Sequence, residues 1–131
     1  MNRVAKLVVV DNDDKYLLMY RSAHPTFGDD PDLLGGTLKD GELPMEAMTR
    51  EVYEESGIVV DEARVLMIYE GTDHSVDKTH YSLYVLKLDN QPSVILSWEH
   101  SSYEWLDREK FLEKVKHAND TYMHMVFHTL K

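Results

Sequence analysis

Residues 36–58 read GTLKDGELPMEAMTREVYEESGI. The centre of this stretch has helical periodicity. Met45, Met48 and Val52 fall on one stripe at about 100° per residue. Pro44 suits a first helical turn, where its missing N–H costs nothing. Gly57 suits the left-handed position that closes a helix. A helix over residues 44–56 is therefore expected, burying its methionines and Val52 against a sheet. Glu51, Glu54 and Glu55 lie on the adjacent arc, because positions three and four apart share a face. Three anions packed together repel unless a positive charge sits between them. Hard divalent cations such as Mg²⁺ take oxygen ligands and are shared between carboxylates and substrate phosphates. The chemistry this pattern points to is a helix-borne Mg²⁺ or Mn²⁺ site that handles a phosphate compound. The competing view is a solvated acidic helix face partnered by Arg50.

The flanking sequence supplies a sheet. VAKLVVV (4–10) is apolar and β-branched and reads as a buried strand. Asp11 to Asp14 has turn chemistry, and KYLLMYR (15–21) reads as a second strand, so 4–20 is expected to be a hairpin. Residues 22–32 read as a loop. Gly35-Gly36 indicates tight backbone or close approach to a ligand. Strands are expected over 58–70, 79–88 and 103–106, with a loop at 71–78. Asp107 is placed to cap a helix through Lys116, and Asp120 a last helix whose apolar face is Met123, Val126, Phe127 and Leu130. Strands and helices mixed in one short chain give an α/β sandwich.

Composition narrows the function. With 131 residues the chain has the size of one domain, 1–131. It has no cysteine, hence no disulfide framework and no thiolate zinc site. No apolar run reaches a membrane-spanning length, and Met1-Asn2-Arg3 leads into a strand-like run rather than a signal peptide, so a cytoplasmic protein is expected. The net charge of −10 argues against nucleic acid polymers and anionic membranes as partners.

The segment 36–58 resembles the Nudix box: Gly, five residues, Glu, seven residues, Arg-Glu, an apolar residue, any residue, Glu-Glu, any residue, Gly, apolar. Gly36, Glu42, Arg50, Glu51, Val52, Glu54, Glu55, Gly57 and Ile58 occupy all the fixed positions without insertion. At average residue usage such agreement arises by chance at roughly one in 10⁹ per start position, so coincidence is set aside. The resemblance implies a mixed β-sheet between helices, with the box as a loop–helix–loop. It implies metal ligation by Glu51, Glu54 and Glu55 and by the Gly36 carbonyl. Arg50 would orient a glutamate by a bidentate pair. Many members add a distal glutamate before an aromatic-containing strand. Glu99 in EHSSYEW (99–105) is similar to that arrangement, with Glu104 as competitor on the opposite face. The general base is then Glu51 or Glu99. His100, beside Glu99, is a candidate for supporting it or moving protons. Arg21 and Lys39 are candidates for reaching a phosphate, and Gly35 and Gly36 for approaching one. His124 and His128 are four apart on the last helix, but no third ligand follows at known zinc spacing. Leu34 stands where many members have proline.

The implied activity is hydrolysis of a pyrophosphate bond in a nucleoside diphosphate linked to another group, with Mg²⁺ or Mn²⁺ as cofactor. The chain's small size is most similar to MutT-type enzymes. These convert a nucleoside triphosphate, including oxidised purine nucleotides, to monophosphate and pyrophosphate. ADP-ribose, dinucleoside polyphosphates and a non-cleaving nucleotide-sensing module are the alternatives, with a monomer or homodimer as the assembly.

Overall fold

The computed structural model describes residues 2–22, 28–72 and 77–131. Strands β1 (Arg3–Val10), β2 (Tyr16–Arg21), β3 (Pro31–Asp32) and β4 (Leu34–Thr37) precede helix α1 (Pro44–Ser56). A 3₁₀ turn (Glu62–Arg64), β5 (Val65–Gly71), β6 (His80–Lys87), β7 (His100–Leu106), α2 (Arg108–Lys116) and α3 (Tyr122–Leu130) follow. The seven strands form one mixed sheet in the order β3-β2-β1-β6-β5, with β4 also paired to β1 and β7 to β2.

β1 is the hub. It runs parallel to β6 along its whole length, from Arg3↔His80 to Val10↔Lys87. Its other edge takes β4 antiparallel over Val4–Leu7. Both faces are covered, which is why its sequence is almost continuously apolar. Ala5, Leu7 and Val9 join Met48, Val52, Leu34, Tyr84 and Leu86 on the α1 side. Val8 and Val10 join Leu18, Leu83, Phe111, Val115, Met123 and Val126 on the α2–α3 side. The mixed sheet between helices agrees with the fold expected from the box.

The 4–20 hairpin needs correction. β1 and β2 pair only at Val10↔Tyr16, next to the turn. Beyond it they diverge, β2 running along β7 from Tyr16↔Leu106 to Arg21↔His100. β4 takes the edge of β1 that a hairpin would have used. The strand expected from residue 58 begins at Val65. Asp61 instead caps the 3₁₀ turn by accepting a hydrogen bond from Ala63 N–H at 3.1 Å. β7 starts earlier than expected, at His100. Within the 22–32 and 71–78 loops, residues 23–27 and 73–76 lie outside the described residues; Pro31–Asp32 is the short β3, and Gly71 ends β5.

α1 begins and ends as its punctuation indicates. Pro44 occupies the first turn, and the Glu46 carboxylate accepts the Leu43 N–H at 2.8 Å. Gly57 has φ +77° and donates to Tyr53 O at 2.8 Å. Met48 and Val52 are fully buried, and Met45 partly so. Burial of this kind contributes about 1.5–3 kcal/mol per side chain. Asp107 caps α2 through Lys110 N–H at 2.8 Å, as expected. α3 starts two residues after Asp120, whose carboxylate accepts from Tyr122 N–H at 3.3 Å. Among the described residues no helix is long and apolar enough to cross a membrane.

Candidate metal centre

α1 presents Glu51 and Glu55 one turn apart, toward β4. Glu99 arrives from the turn that leads into β7. One carboxylate oxygen from each of the three lies within 4.8 Å of the others. Oxygens bound to a common Mg²⁺ or Mn²⁺ at about 2.1 Å stand at most about 4.2 Å apart, so the trio suits one such ion after a small contraction. The donor set is all oxygen, which fits a hard divalent cation.

The two glycines are needed here by the protein itself. Gly35 has φ +123°, and a Cβ there would lie 2.1 Å from Ala5 O on β1. A Cβ on Gly36 would lie 2.7 Å from Cδ of Glu51. Glycine thus lets β4 lie against β1 and lets Glu51 fold over β4.

Glu55 is buried, and its Oε1 accepts the Gly35 N–H at 2.8 Å. Burial pushes its carboxyl up to about 9; a hydrogen bond with Glu99 and the nearby Asp32 charge add to this, while Lys6 and the Gly35 N–H oppose it. Without a cation, Glu55 therefore keeps its proton at neutral pH. A divalent ion would take that proton's place.

Arg50 braces the helix against the box loop. It grips Glu42 bidentately, Nε to Oε2 at 2.8 Å and Nη2 to Oε1 at 2.9 Å. Its Nη1 donates to Glu51 Oε1 at 3.0 Å, and Nη2 to Thr37 O at 3.3 Å. The Arg50 bonds, with the Lys39 N–H, hold the Glu42 carboxyl down at about 2. The expected bidentate partner of Arg50 is thus Glu42, with Glu51 as a single contact.

The other candidates are placed as follows. Glu54 stands outside the close trio, half exposed, with Arg50 Nη1 at 3.4 Å. Arg21 is turned inward, its Nη2 at 2.8 Å from Asp120 and 3.2 Å from Asp32. The Lys39 side chain is exposed, and its backbone N–H bonds Glu42. Glu104 lies on the opposite face of the sheet, bonded to Tyr20 and Lys114. His124 and His128 belong to α3, away from the trio, and line a shallow surface depression with Lys116 and Phe127.

Sequence reasoning missed a buried ionic hub behind the trio. Asp32 accepts from Lys6 Nζ at 3.2 Å, Arg21 Nη2 at 3.2 Å and the Tyr122 hydroxyl, and pairs with His100 Nε2 at 2.9 Å. Lys6 also reaches the carbonyls of Leu33 at 3.1 Å and Gly35 at 3.4 Å. Burial alone would raise the Asp32 carboxyl. Lys6, His100, Arg21 and Tyr122 outweigh it and hold the group far below the usual carboxylate range. The signal was Lys6 itself, since a lysine inside an apolar strand needs an anion nearby.

The NUDIX domain family model matches residues 1–126. The chain belongs to the Nudix hydrolase family. Solved Nudix structures share its fold. The MutT protein of Methanosarcina mazei Go1 is 23% identical with a TM-score of 0.71, over 98% of this chain and 91% of that one. An Ap4A hydrolase of C. elegans is 22% identical with a TM-score of 0.72, over 97% and 92%. A bifunctional NMN adenylyltransferase/ADP ribose pyrophosphatase of Francisella tularensis, solved with AMP and a Mn ion, is 22% identical with a TM-score of 0.69, over 95% of this chain and 40% of that one. Nudix hydrolases are pyrophosphohydrolases that need a divalent metal.

The raised Glu55 carboxyl has a thermodynamic consequence for this Nudix domain. Between pH 4.5, its ordinary value, and about 9, the folded state keeps a proton that the unfolded state releases. Metal-free stability should therefore fall as pH rises through that window. Glu55→Gln should flatten the decline, and so should a saturating divalent ion. Urea unfolding in EDTA at pH 5 to 9 measures this. Equal slopes for wild type and Glu55→Gln would count against it.

Proposed function

We propose that residues 1–131 act as one catalytic unit that hydrolyses a nucleoside triphosphate to monophosphate and pyrophosphate, in the manner of the MutT-type enzymes. The observation that carries the catalytic part is the convergence of Glu51, Glu55 and Glu99 within 4.8 Å, in a chain of net charge −10 that otherwise repels a nucleotide. The substrate part is supported by the fold shared with a MutT protein along 98% of this chain and 91% of that one.

Glu51, Glu55 and Glu99, with the Gly36 carbonyl, would hold the divalent ion, Mg²⁺ or Mn²⁺. Glu54 is assigned to a further ion on the solvent side, a role that suits a half-exposed carboxylate only loosely held by Arg50. Bound there, divalent ions neutralise phosphate charge and acidify water. The carboxylates orient the attacking water. Its oxygen forms a bond to phosphorus, the anhydride P–O bond breaks toward the pyrophosphate, and the water's proton passes to Glu51 or Glu99. Arg50 fixes the orientation of Glu51 while Glu42 fixes Arg50. Lys39, exposed on the box loop, is the side chain available to a phosphate, and Arg21 at the β2 end would have to trade an aspartate for one. The absence of cysteine suits a cytoplasmic setting.

The test is a panel of nucleoside triphosphates, oxidised purine nucleotides, ADP-ribose and dinucleoside polyphosphates, each with Mg²⁺ or Mn²⁺ and with EDTA, products separated by chromatography. Ion-dependent release of monophosphate and pyrophosphate from a triphosphate is expected. Turnover confined to ADP-ribose or dinucleoside polyphosphates would replace the substrate assignment. Nucleotide binding with no turnover of any panel member would replace the enzyme by a sensing module.

A further inference from the structure

Glu51 and Glu55 ride on one helix, so helical geometry fixes their separation. Glu99 has no such guarantee. It follows residues 88–97, which form neither helix nor strand, and it precedes β7, a strand paired on one side only among the described residues. A functional constellation needs its members held to within about 0.5 Å. Something outside the trio must therefore hold Glu99.

The structure supplies four restraints, the first within the turn itself, where the Glu99 N–H donates to Ser97 Oγ at 3.3 Å. Upstream, Ile95 N–H donates to Ser56 O at 2.9 Å, tying the loop to the end of α1. At Glu99 itself, the carbonyl accepts Ser22 N–H at 3.0 Å. Downstream, the β2–β7 register slips between Tyr20↔Ser102 and Arg21↔His100, leaving Ser101 as an extra residue. A bulge of this kind re-aims side chains. Here His100 is 3% exposed, with Nε2 at 2.9 Å from Asp32 Oδ2.

Asp32 is itself fixed by Lys6, Arg21 and Tyr122. Lys6 also binds the Gly35 carbonyl, and the Gly35 N–H binds Glu55. One carboxylate thus connects through His100 to the backbone beside Glu99, and through Lys6 and Gly35 to Glu55. Packing does not account for an imidazole at position 100. Its Nδ1 is buried with no hydrogen-bond partner among the described residues, which costs stability that an apolar side chain would not lose.

We propose that His100, held by Asp32, is the positioning residue for Glu99 and thereby sets the affinity of the centre for its divalent ion. The inference rests on the reading of Glu51, Glu55 and Glu99 as ligands, and it makes no use of His100 in the chemistry.

The test is Mn²⁺ binding to the full chain without substrate, read from the electron paramagnetic resonance of free Mn²⁺. His100→Phe keeps a flat ring and loses the bond; it should weaken Mn²⁺ binding about tenfold to hundredfold. His100→Gln places an amide nitrogen where Nε2 stood and should recover most of the affinity. Phe111→Leu loosens the buried α2–α3 core without touching Asp32 or His100, and should leave Mn²⁺ binding within a few-fold of wild type. A folded His100→Phe that binds Mn²⁺ like wild type overturns the proposal. So does equal loss in Phe111→Leu, which would mean general loosening of the fold. Should His100→Phe fail to fold, His100→Asn, too short to reach Asp32, carries the same expectation and the same overturning result. If wild type and Glu55→Gln bind Mn²⁺ equally poorly, the ligand assignment itself falls, and this inference with it.

Discussion

Glu55→Gln should lower the hydrolytic rate by on the order of 10²-fold or more at saturating Mg²⁺, a loss of several kcal/mol in transition-state stabilisation. The substitution is conservative in every respect but charge. Glutamine has the same length and helix propensity, and its Oε1 can still accept the Gly35 N–H. What disappears is the buried anion of the trio. Metal-free thermal stability should hold or rise, because a glutamine needs no proton to be buried there. The control is Glu46→Gln on the same helix. Glu46 lies outside the trio and caps the Leu43 N–H, a bond that glutamine keeps. Its activity should stay within a few-fold of wild type. Steady-state rates of the three proteins on one confirmed substrate decide the matter. Wild-type activity in Glu55→Gln would remove Glu55 from the centre. Equal loss in both variants would point to the acidity of the helix as a whole.

The parts of this molecule legible in the sequence are those with a local physical period or a fixed spacing. Pro44, the Met45/Met48/Val52 stripe and Gly57 define α1 because each acts within a turn or two of the chain. The glutamate arc follows once the helix is in place. Glu99 was reachable only by its position before an aromatic strand, since nothing local in EHSSYEW says which helix that strand approaches. The sheet order was not legible. VAKLVVV announces burial on both faces, but a parallel partner such as β6 lies far along the chain and leaves no mark on β1. The apparent 4–20 hairpin misled for the same reason: the turn at Asp11–Asp14 is real, while the choice of β4 over β2 as neighbour depends on Gly35, which permits close approach to Ala5. Asp32 was hidden among the aspartates of a segment that reads as loop. Its burial is set by Lys6 and His100, which stand 26 and 68 residues away.

Asp32→Asn should destabilise the fold by about 3 kcal/mol or more, measured by urea unfolding, because it leaves the Lys6 and Arg21 charges facing a neutral amide in a dry site. Against a total of about 5–15 kcal/mol for a domain, that is a large fraction. The pH dependence identifies the cause. The folded-state carboxyl of Asp32 lies far below its ordinary 3.8, so its contribution is fully present above that pH and is lost only as acid carries the solution down toward the folded value. The gap between wild type and variant should therefore narrow below about pH 4. Asp120→Asn leaves Arg21 its contact with Asp32 and acts at a more exposed position, so it should cost less. Replacing both ends of the innermost pair, Lys6→Met with Asp32→Leu, should recover part of the loss, since burying two charges is costly even when they are matched. The recovered protein should still bind Mn²⁺ poorly, for stability returns with the apolar pair while the link from His100 to Lys6 does not. A double variant that regains both would show the hub to be a matter of packing alone.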